Sequence, residues 1–466
     1  MVFSTIIFLL RFLPITLALY YLAPPKLKNT VLFLCSLVFY CWGEVRFFPV
    51  MLALILINYL CGLGLERFEQ NKTARLILLL IALAGSLGML FYFKYANFVL
   101  SSINAVFGTG FAPIQGISVL PLGISFYTFQ TLSYTIDVYR RDVETEHNII
   151  DFGAYVVMFP QLIAGPIVRY QTVADQIDCR THTADAFGEG ARRFVCGLGK
   201  KVLLANNIGL LWEAASAQAT PTVLTAWLGV IAYGFQIYFD FSGYSDMAIG
   251  LGRMLGFRFL ENFNYPFLAD SITDFWRRWH ISMGTWFRDY VYIPLGGNKG
   301  GLAKQLRNIA IVWLLTGFWH GASWNFVLWG VYFGILLVLE KLFLLRWLKR
   351  LPAVLRHLYA LTLVTVSWTL FAFTDIGAGF AWLKAMFSGV LFDSSSLYLL
   401  LTYGPMLAIC ALAATPLGKR CYEGMNARLG QGALALIDCG GLLCVLTMSM
   451  AYLVSGSYNP FLYFRF

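Results

Sequence analysis

Charged residues in this chain are bunched, and long apolar stretches separate the bunches. No Asp, Glu, Lys or Arg occurs from Tyr95 to Ile136 or from Asn308 to Leu339. Shorter charge-free stretches run Phe47–Leu65, Leu76–Phe93, Phe152–Val168, Ala214–Phe239, Ser394–Gly418 and Cys439–Phe464. Roughly 20 apolar residues span a bilayer core as a helix. In lipid, only helices or closed barrels satisfy their own backbone polar groups, and these stretches lack the period-two alternation of barrel strands. They predict an all-α, polytopic membrane protein with roughly 10–13 transmembrane helices plus interfacial and re-entrant helices. Met1 to Tyr21 is apolar around Arg11 and shows neither a basic leader nor a small-residue cleavage site before Pro24-Pro25. It is expected to be a retained first span rather than a signal peptide.

No internal repeat or low-complexity linker marks a second domain, so residues 1–466 are expected to form one membrane domain of three textures. Residues 1–115 are plain spans joined by short polar turns. Residues 116–340 mix apolar stretches with Gly, Pro and aromatic-polar pairs. Residues 341–466 return to plain spans and include Phe461-Leu462-Tyr463-Phe464-Arg465-Phe466. Within the central part, Ser271 to Tyr292 predicts one amphipathic helix. Ser271 or Thr273 is its N-cap, and Asp274 and Arg278 share a face. Phe275, Trp279, Met283 and Trp286 recur at three or four, facing lipid or protein. A helix basic on one side and Trp-rich on the other belongs at the membrane interface, and Pro294-Leu295-Gly296-Gly297-Asn298 ends it.

Composition narrows the class further. Of 466 residues, 59% are hydrophobic and 12% charged, against about 25% charged in soluble domains. A soluble enzyme is excluded. The formal charge of +10 is explained by cytoplasmic loops that orient the helices, not by nucleic acid. Ala191-Arg192-Arg193, Lys200-Lys201, Arg277-Arg278 and Arg346 to Arg350 are the candidate cytoplasmic edges. The nine cysteines are scattered without a C-x-x-C pair, so they are expected to be buried thiols acting as small hydrophobes. There is no metal signature.

Five histidines occur, and only His320 lies deep in a charge-free stretch, 12 residues past Asn308. That is about 18 Å of helix, near the middle of a bilayer core. An imidazole there is either a neutral pillar hydrogen-bonded between helices or a functional group. Gly317 and Gly321 flank it, leaving the ring uncrowded and open to close backbone or ligand approach. A general base fits better than a metal ligand, because no second His or Cys lies at i±3 or i±4. His280, in Asp274-Phe275-Trp276-Arg277-Arg278-Trp279-His280, is either part of an interfacial anchor or near a phosphate-receiving arginine pair. Asp240 and Asp246 flank Ser242 but are six apart, too far for a shared dyad. Capping or pairing with arginine is expected for each.

These segments together resemble a family. Phe275-Trp276-Arg277-Arg278-Trp279-His280 followed by Gly317-Phe318-Trp319-His320-Gly321 is similar to the membrane-bound O-acyltransferases, in their bacterial alginate O-acetylation branch. Leu120 to Tyr127, Ile136 to Arg140, Ala164 to Arg169, Tyr238 to Gly250, and Arg288-Asp289-Tyr290 through Asn298 match in the same order. The resemblance covers most of residues 1–340 and weakens after residue 345. It implies a ring of tilted helices around a thinned centre, His320 as the catalytic base and His280 as an ancillary histidine. It also implies a donor or tunnel region including Trp276, Arg277, Arg278, Trp279, Arg288, Asp289, Asp240, Ser242, Asp246 and Trp319. The implied donor is cytoplasmic acetyl-CoA, with no permanently bound cofactor. The implied partner is an SGNH-type periplasmic or extracellular acetyltransferase, and the acceptor is an exported polysaccharide. The location implied is the bacterial cytoplasmic (inner) membrane.

Phe461 to Phe466 is an aromatic interface anchor or a tethered hydroxyl at Tyr463. Its resemblance to aromatic C-terminal motifs of D-alanylation systems implies that Tyr463 is an acyl relay. The rival expectation is a proton-coupled transporter or flippase with His320 as the coupling group. Neither inverted repeats nor paired broken helices support it.

Overall fold

The computed structural model describes residues 2–117, 120–163, 165–456 and 459–460. Among them every regular element is helical. Eight helical stretches are long and apolar enough to cross a membrane: Pro25–Arg67, Lys72–Phe107, Ala184–Ser216, Val223–Met254, Trp324–Leu348, Ala353–Ala372, Ser394–Ala413 and Gly432–Val454. The first holds two helices, because Glu44 leaves helical geometry (φ −158°, ψ 72°) between Lys28–Glu44 and Phe48–Arg67. Leu302–His320 is not among the eight. It is 19 residues long, but its first turns carry Lys304, Gln305, Arg307 and Asn308. Phe8–Leu22 is a shorter apolar helix.

The chain folds as two compact units. The first comprises Met1–Phe194 and Met247–Leu260. In it Phe48–Arg67 packs on Lys72–Leu90 and Ile124–Arg140, and Lys28–Glu44 packs on Ile149–Val157. Two of these helix ends converge on one side chain. The buried Arg75 guanidinium donates to Leu65 O at 2.8 Å, Tyr139 O at 2.6 Å and Val138 O at 3.3 Å. Terminal carbonyls of a helix have no intrahelical partner, and a buried cation satisfies them while opposing the negative end of the dipole.

The second unit comprises Val195–Asp246 and Glu261–Phe466. Its centre is the antiparallel pair Leu302–His320 and Trp324–Leu339, which pack closely. Close packing needs small residues at the crossing. A Cβ added at Gly317 would stand 2.5 Å from Phe326 O, and one at Gly330 would stand 2.5 Å from Trp313 O.

The cysteines depart from expectation. Cys61 and Cys410 are buried, whereas Cys179, Cys196, Cys421, Cys439 and Cys444 are exposed. Cys439 and Cys444 lie on the mostly exposed membrane-spanning helix Gln431–Val454, where hydrocarbon accepts a thiol as readily as a protein core does.

Candidate active site

The expected single helix over Ser271–Tyr292 is instead three pieces: Ile272–Arg278, Ile281–Phe287 and a π-turn Arg288–Tyr292. Two local predictions hold. Ser271 caps the first piece by accepting from Asp274 N at 3.1 Å, and Arg278 pairs with Asp274 at 2.8 Å. The break follows because Trp279 is extended and His280 adopts φ +46°, ψ +53°. A non-glycine residue in that left-handed region costs about 1–3 kcal/mol and persists only when its surroundings over-determine it. The stripe Phe275, Trp279, Met283 and Trp286 is buried in protein, so the segment is an internal bent element rather than a helix lying along the lipid surface.

Asn262 holds the break in place. Its Oδ1 accepts from Ser282 N at 3.2 Å and Ser282 Oγ at 2.9 Å, and lies 3.2 Å from His280 Nδ1. The backbone N–H of Ser282 only donates, so the amide oxygen, not the nitrogen, faces this group. His280 Nδ1 therefore carries the proton, and Nε2 carries the lone pair. The ring is fully buried beside Phe241 and Trp319, at centroid distances of 4.7 and 5.8 Å. Burial disfavours the charged form and pulls His280 down to about 3. It is a neutral imidazole with a fixed tautomer.

His320 is the last residue of Leu302–His320. Its ring sits among Trp329, Trp319 and Phe371 at 4.9, 5.1 and 5.3 Å, and its Nε2 is shielded from solvent. Trp319 thus neighbours both histidines. Of the two effects expected of the flanking glycines, close backbone approach is found at Gly317, whereas the His320 ring is packed among aromatics rather than uncrowded. Gly317 serves the crossing with Gly330, and a Cβ on Gly321 would collide with the Phe326 ring.

A cavity of about 560 Å³ borders the helix that ends at His320. Exposed Arg277 and Arg288 line it together with Trp276, Trp313 and buried Thr316. Thr316 and His320 are i and i+4, hence one turn apart on the same helix face. The cavity separates the two adjacent arginines. Arg277 lines it and makes no ion pair among the described residues, while Arg278 is held by Asp274 and donates to Asn264 O at 3.4 Å. Arg288 is held by Asp289 through two bonds of 2.7 and 3.1 Å.

Other expected site residues lie apart from the cavity lining. Trp279 packs on Phe263, Trp368 and Phe275. Asp240 pairs with Lys201 at 2.8 Å and Asp246 with Lys200 at 2.6 Å. Ser242 is buried between them on the same helix. Lys201 also donates to Asn206 Oδ1 and to Pro460 O, and Asn206 donates to Asn459 Oδ1 at 3.1 Å. The polypeptide just before Phe461 is therefore tied to the buried Lys201–Asp240 pair. Tyr463 itself lies outside the described residues.

One residue of the site was not anticipated. The carboxylate of Glu340, buried to 1% exposure, accepts from Ile272 N at 2.7 Å, Thr273 N at 2.8 Å and Thr273 Oγ1 at 2.6 Å. Tyr359 OH adds a fourth bond at 3.2 Å. It caps the short helix that carries Arg277, meeting orphan N–H groups with negative charge. The available signal was a lone carboxylate closing the charge-free stretch Asn308–Leu339.

The comparisons decide the family. The model of the membrane-bound O-acyltransferase family matches residues 90–377, well over half of the chain. This chain belongs to that family. It is 45% identical over 390 residues to "Probable alginate O-acetylase AlgI" of Azotobacter vinelandii, covering 83% of this chain and 78% of that one. It is 40% identical over 485 residues to the protein of the same name in Pseudomonas putida, covering all of both chains. It is 29% identical to the "Peptidoglycan O-acetyltransferase" of Helicobacter pylori over 100% of this chain and 98% of that one. The protein is a multi-pass membrane O-acyltransferase.

Two outcomes follow from the geometry. Glu340→Gln should remove charge-assisted bonds worth about 1.5–3 kcal/mol each, lowering the melting temperature of the solubilised enzyme and raising the donor KM more than it lowers kcat. Asn262→Ala should lower the melting temperature by leaving the Ser282 N–H and His280 Nδ1–H buried without an acceptor, at about 1–3 kcal/mol apiece. Thermal unfolding at the wild-type temperature would refute the tautomer assignment.

Proposed function

We propose that the protein transfers acetyl groups from cytoplasmic acetyl-CoA across the bacterial inner membrane for O-acetylation of an exported polysaccharide. The observation that carries this reading is one cavity lined both by exposed Arg277 and Arg288 and by buried Thr316, one turn before His320. Exposed arginines in its lining match the phosphates of coenzyme A by charge-assisted bonding. Apolar Met283, Phe287, Ile309 and Val312 suit an uncharged thioester arm. The relatives' names, which specify O-acetylation of alginate and of peptidoglycan, support acetyl as the group and a glycan as the acceptor.

In this reading His320 is the general base and Tyr463 the first acceptor. A phenol has a pKa near 10 and is a weak nucleophile at neutral pH. His320 removes its proton as the phenolic oxygen attacks the thioester carbonyl. The C–S bond breaks, and the proton passes to the departing thiolate, giving acetyl-tyrosine and free thiol. An SGNH-type partner outside then takes the acetyl group onto its serine, restoring the phenol, and delivers it to the polysaccharide. The hydrogen bonds of Asn459 and Pro460 to Asn206 and Lys201 anchor the chain three residues before Tyr463, which supports this reading. Neutral His280, which also neighbours Trp319, orders the wall next to the base.

Membranes holding this protein alone, supplied with radiolabelled acetyl-CoA, test the reading. Wild type should retain covalent label. His320→Ala should lose about 10²–10⁴-fold in rate, and Tyr463→Phe should retain none. Label on Tyr463→Phe equal to wild type eliminates the tyrosine relay, and transfer by His320→Ala at the wild-type rate eliminates the base. The arginines give a separate outcome. Arg277→Gln should raise the donor KM by about 10–100-fold, the equivalent of one charge-assisted bond. Arg278→Gln should instead lower thermal stability and leave that KM nearly unchanged.

A further inference from the structure

A second cavity, of about 310 Å³, lies within the first unit and shares no residue with the site above. Three guanidinium groups, Arg193, Arg253 and Arg258, line it against a single carboxylate, Glu189. Arg253 holds that carboxylate, with Nε and Nη2 both 3.0 Å from Oε2. The apolar part of the lining is Ile249 with the stacked rings of Phe257 and Phe259, 6.1 Å apart. Arg180 lies over the Phe257 ring at 4.5 Å, so further positive charge stands beside the lining. His182 registers that field: burial first, then the charges of Lys28 and Arg180, holds its imidazole below the usual range.

The placement along the chain is as telling as the charge. Glu189 and Arg193 occupy the early turns of the membrane-capable stretch Ala184–Ser216, and Ile249 and Arg253 the last turns of Val223–Met254. The two helix ends approach backbone to backbone, since a Cβ on Gly190 would stand 2.6 Å from Gly250 O. The backbone that carries the lining residues is therefore fixed by close helix packing. Basic residues at the ends of spans sit on the cytoplasmic side, level with lipid headgroups. A planar guanidinium pair matches a phosphate oxygen pair bidentately, while the aromatic floor suits the glycerol and first methylenes of a lipid rather than a fully hydrated ion.

We propose that this cavity binds the phosphate of an anionic phospholipid headgroup drawn from the surrounding membrane. Free phosphate shares the ligand chemistry, and the test separates the two sources. The full-length protein is solubilised, loaded with phosphatidylglycerol or phosphatidylcholine, and the retained lipid counted by native mass spectrometry. Wild type should retain phosphatidylglycerol over phosphatidylcholine by about tenfold, and Arg193→Gln/Arg258→Gln should lose that preference. Arg258→Gln alone, at an exposed loop position, keeps the test usable where the double variant folds poorly, with part of the preference lost. Inorganic phosphate in millimolar excess should not displace the lipid. Equal retention of both lipids by wild type, an undiminished preference in both variants, or displacement of the lipid by phosphate overturns the assignment.

Discussion

An unsatisfied backbone N–H or carbonyl costs several kcal/mol where no water reaches it, and this molecule is arranged around that cost. Helices meet it along their length but not at their ends. Where ends or breaks are buried, single side chains take over. Arg75 collects carbonyls from two helix termini. Glu340 collects N–H groups at the start of Ile272–Arg278, and Asn262 secures the bend at His280. Each is a polar residue that would be expensive on its own and is stable because the backbone supplies its partners.

The same devices orient the chemistry. With its N-terminus fixed by Glu340, the short helix presents two consecutive arginines to different surroundings. Arg277 lines the cavity, and Arg278 is held by Asp274. The bend then buries His280 with one defined nitrogen protonated, beside the Trp319 ring that also touches His320. A dry aromatic setting around His320 strengthens electrostatic interactions with any charge that develops there. Buried Lys201 and Asp240 neutralise each other, and the lysine's remaining donors hold the chain near Pro460. A buried ion pair is weak evidence for stability; its value here is the anchor it gives to Pro460.

Several features were legible because they are local. The N-cap at Ser271 and the Asp274–Arg278 pair depend on residues within one turn. The bend at His280 was not legible. The apolar spacing of Phe275, Trp279, Met283 and Trp286 continues through it, and the residue that enforces it, Asn262, lies 18 positions upstream. Glu340 escaped notice for the same reason, since its partners are 67 and 68 positions away. The acids Asp240 and Asp246 were read as partners for arginine. Lysines on a neighbouring helical segment stand opposite them, and helix pairing decides which cation meets which acid.

The sequence by itself determined the medium and the chemical type. Charge-free stretches of span length leave no soluble fold, because backbone and side chains must both be hidden from lipid. A single imidazole deep in one of them stands out because ionisable groups there are costly. Tertiary structure alone decided which arginine faces the cavity, which nitrogen of His280 is protonated, and what surrounds His320. Those properties depend on contacts between residues far apart in the chain. No spacing rule of 3.6 residues carries that information.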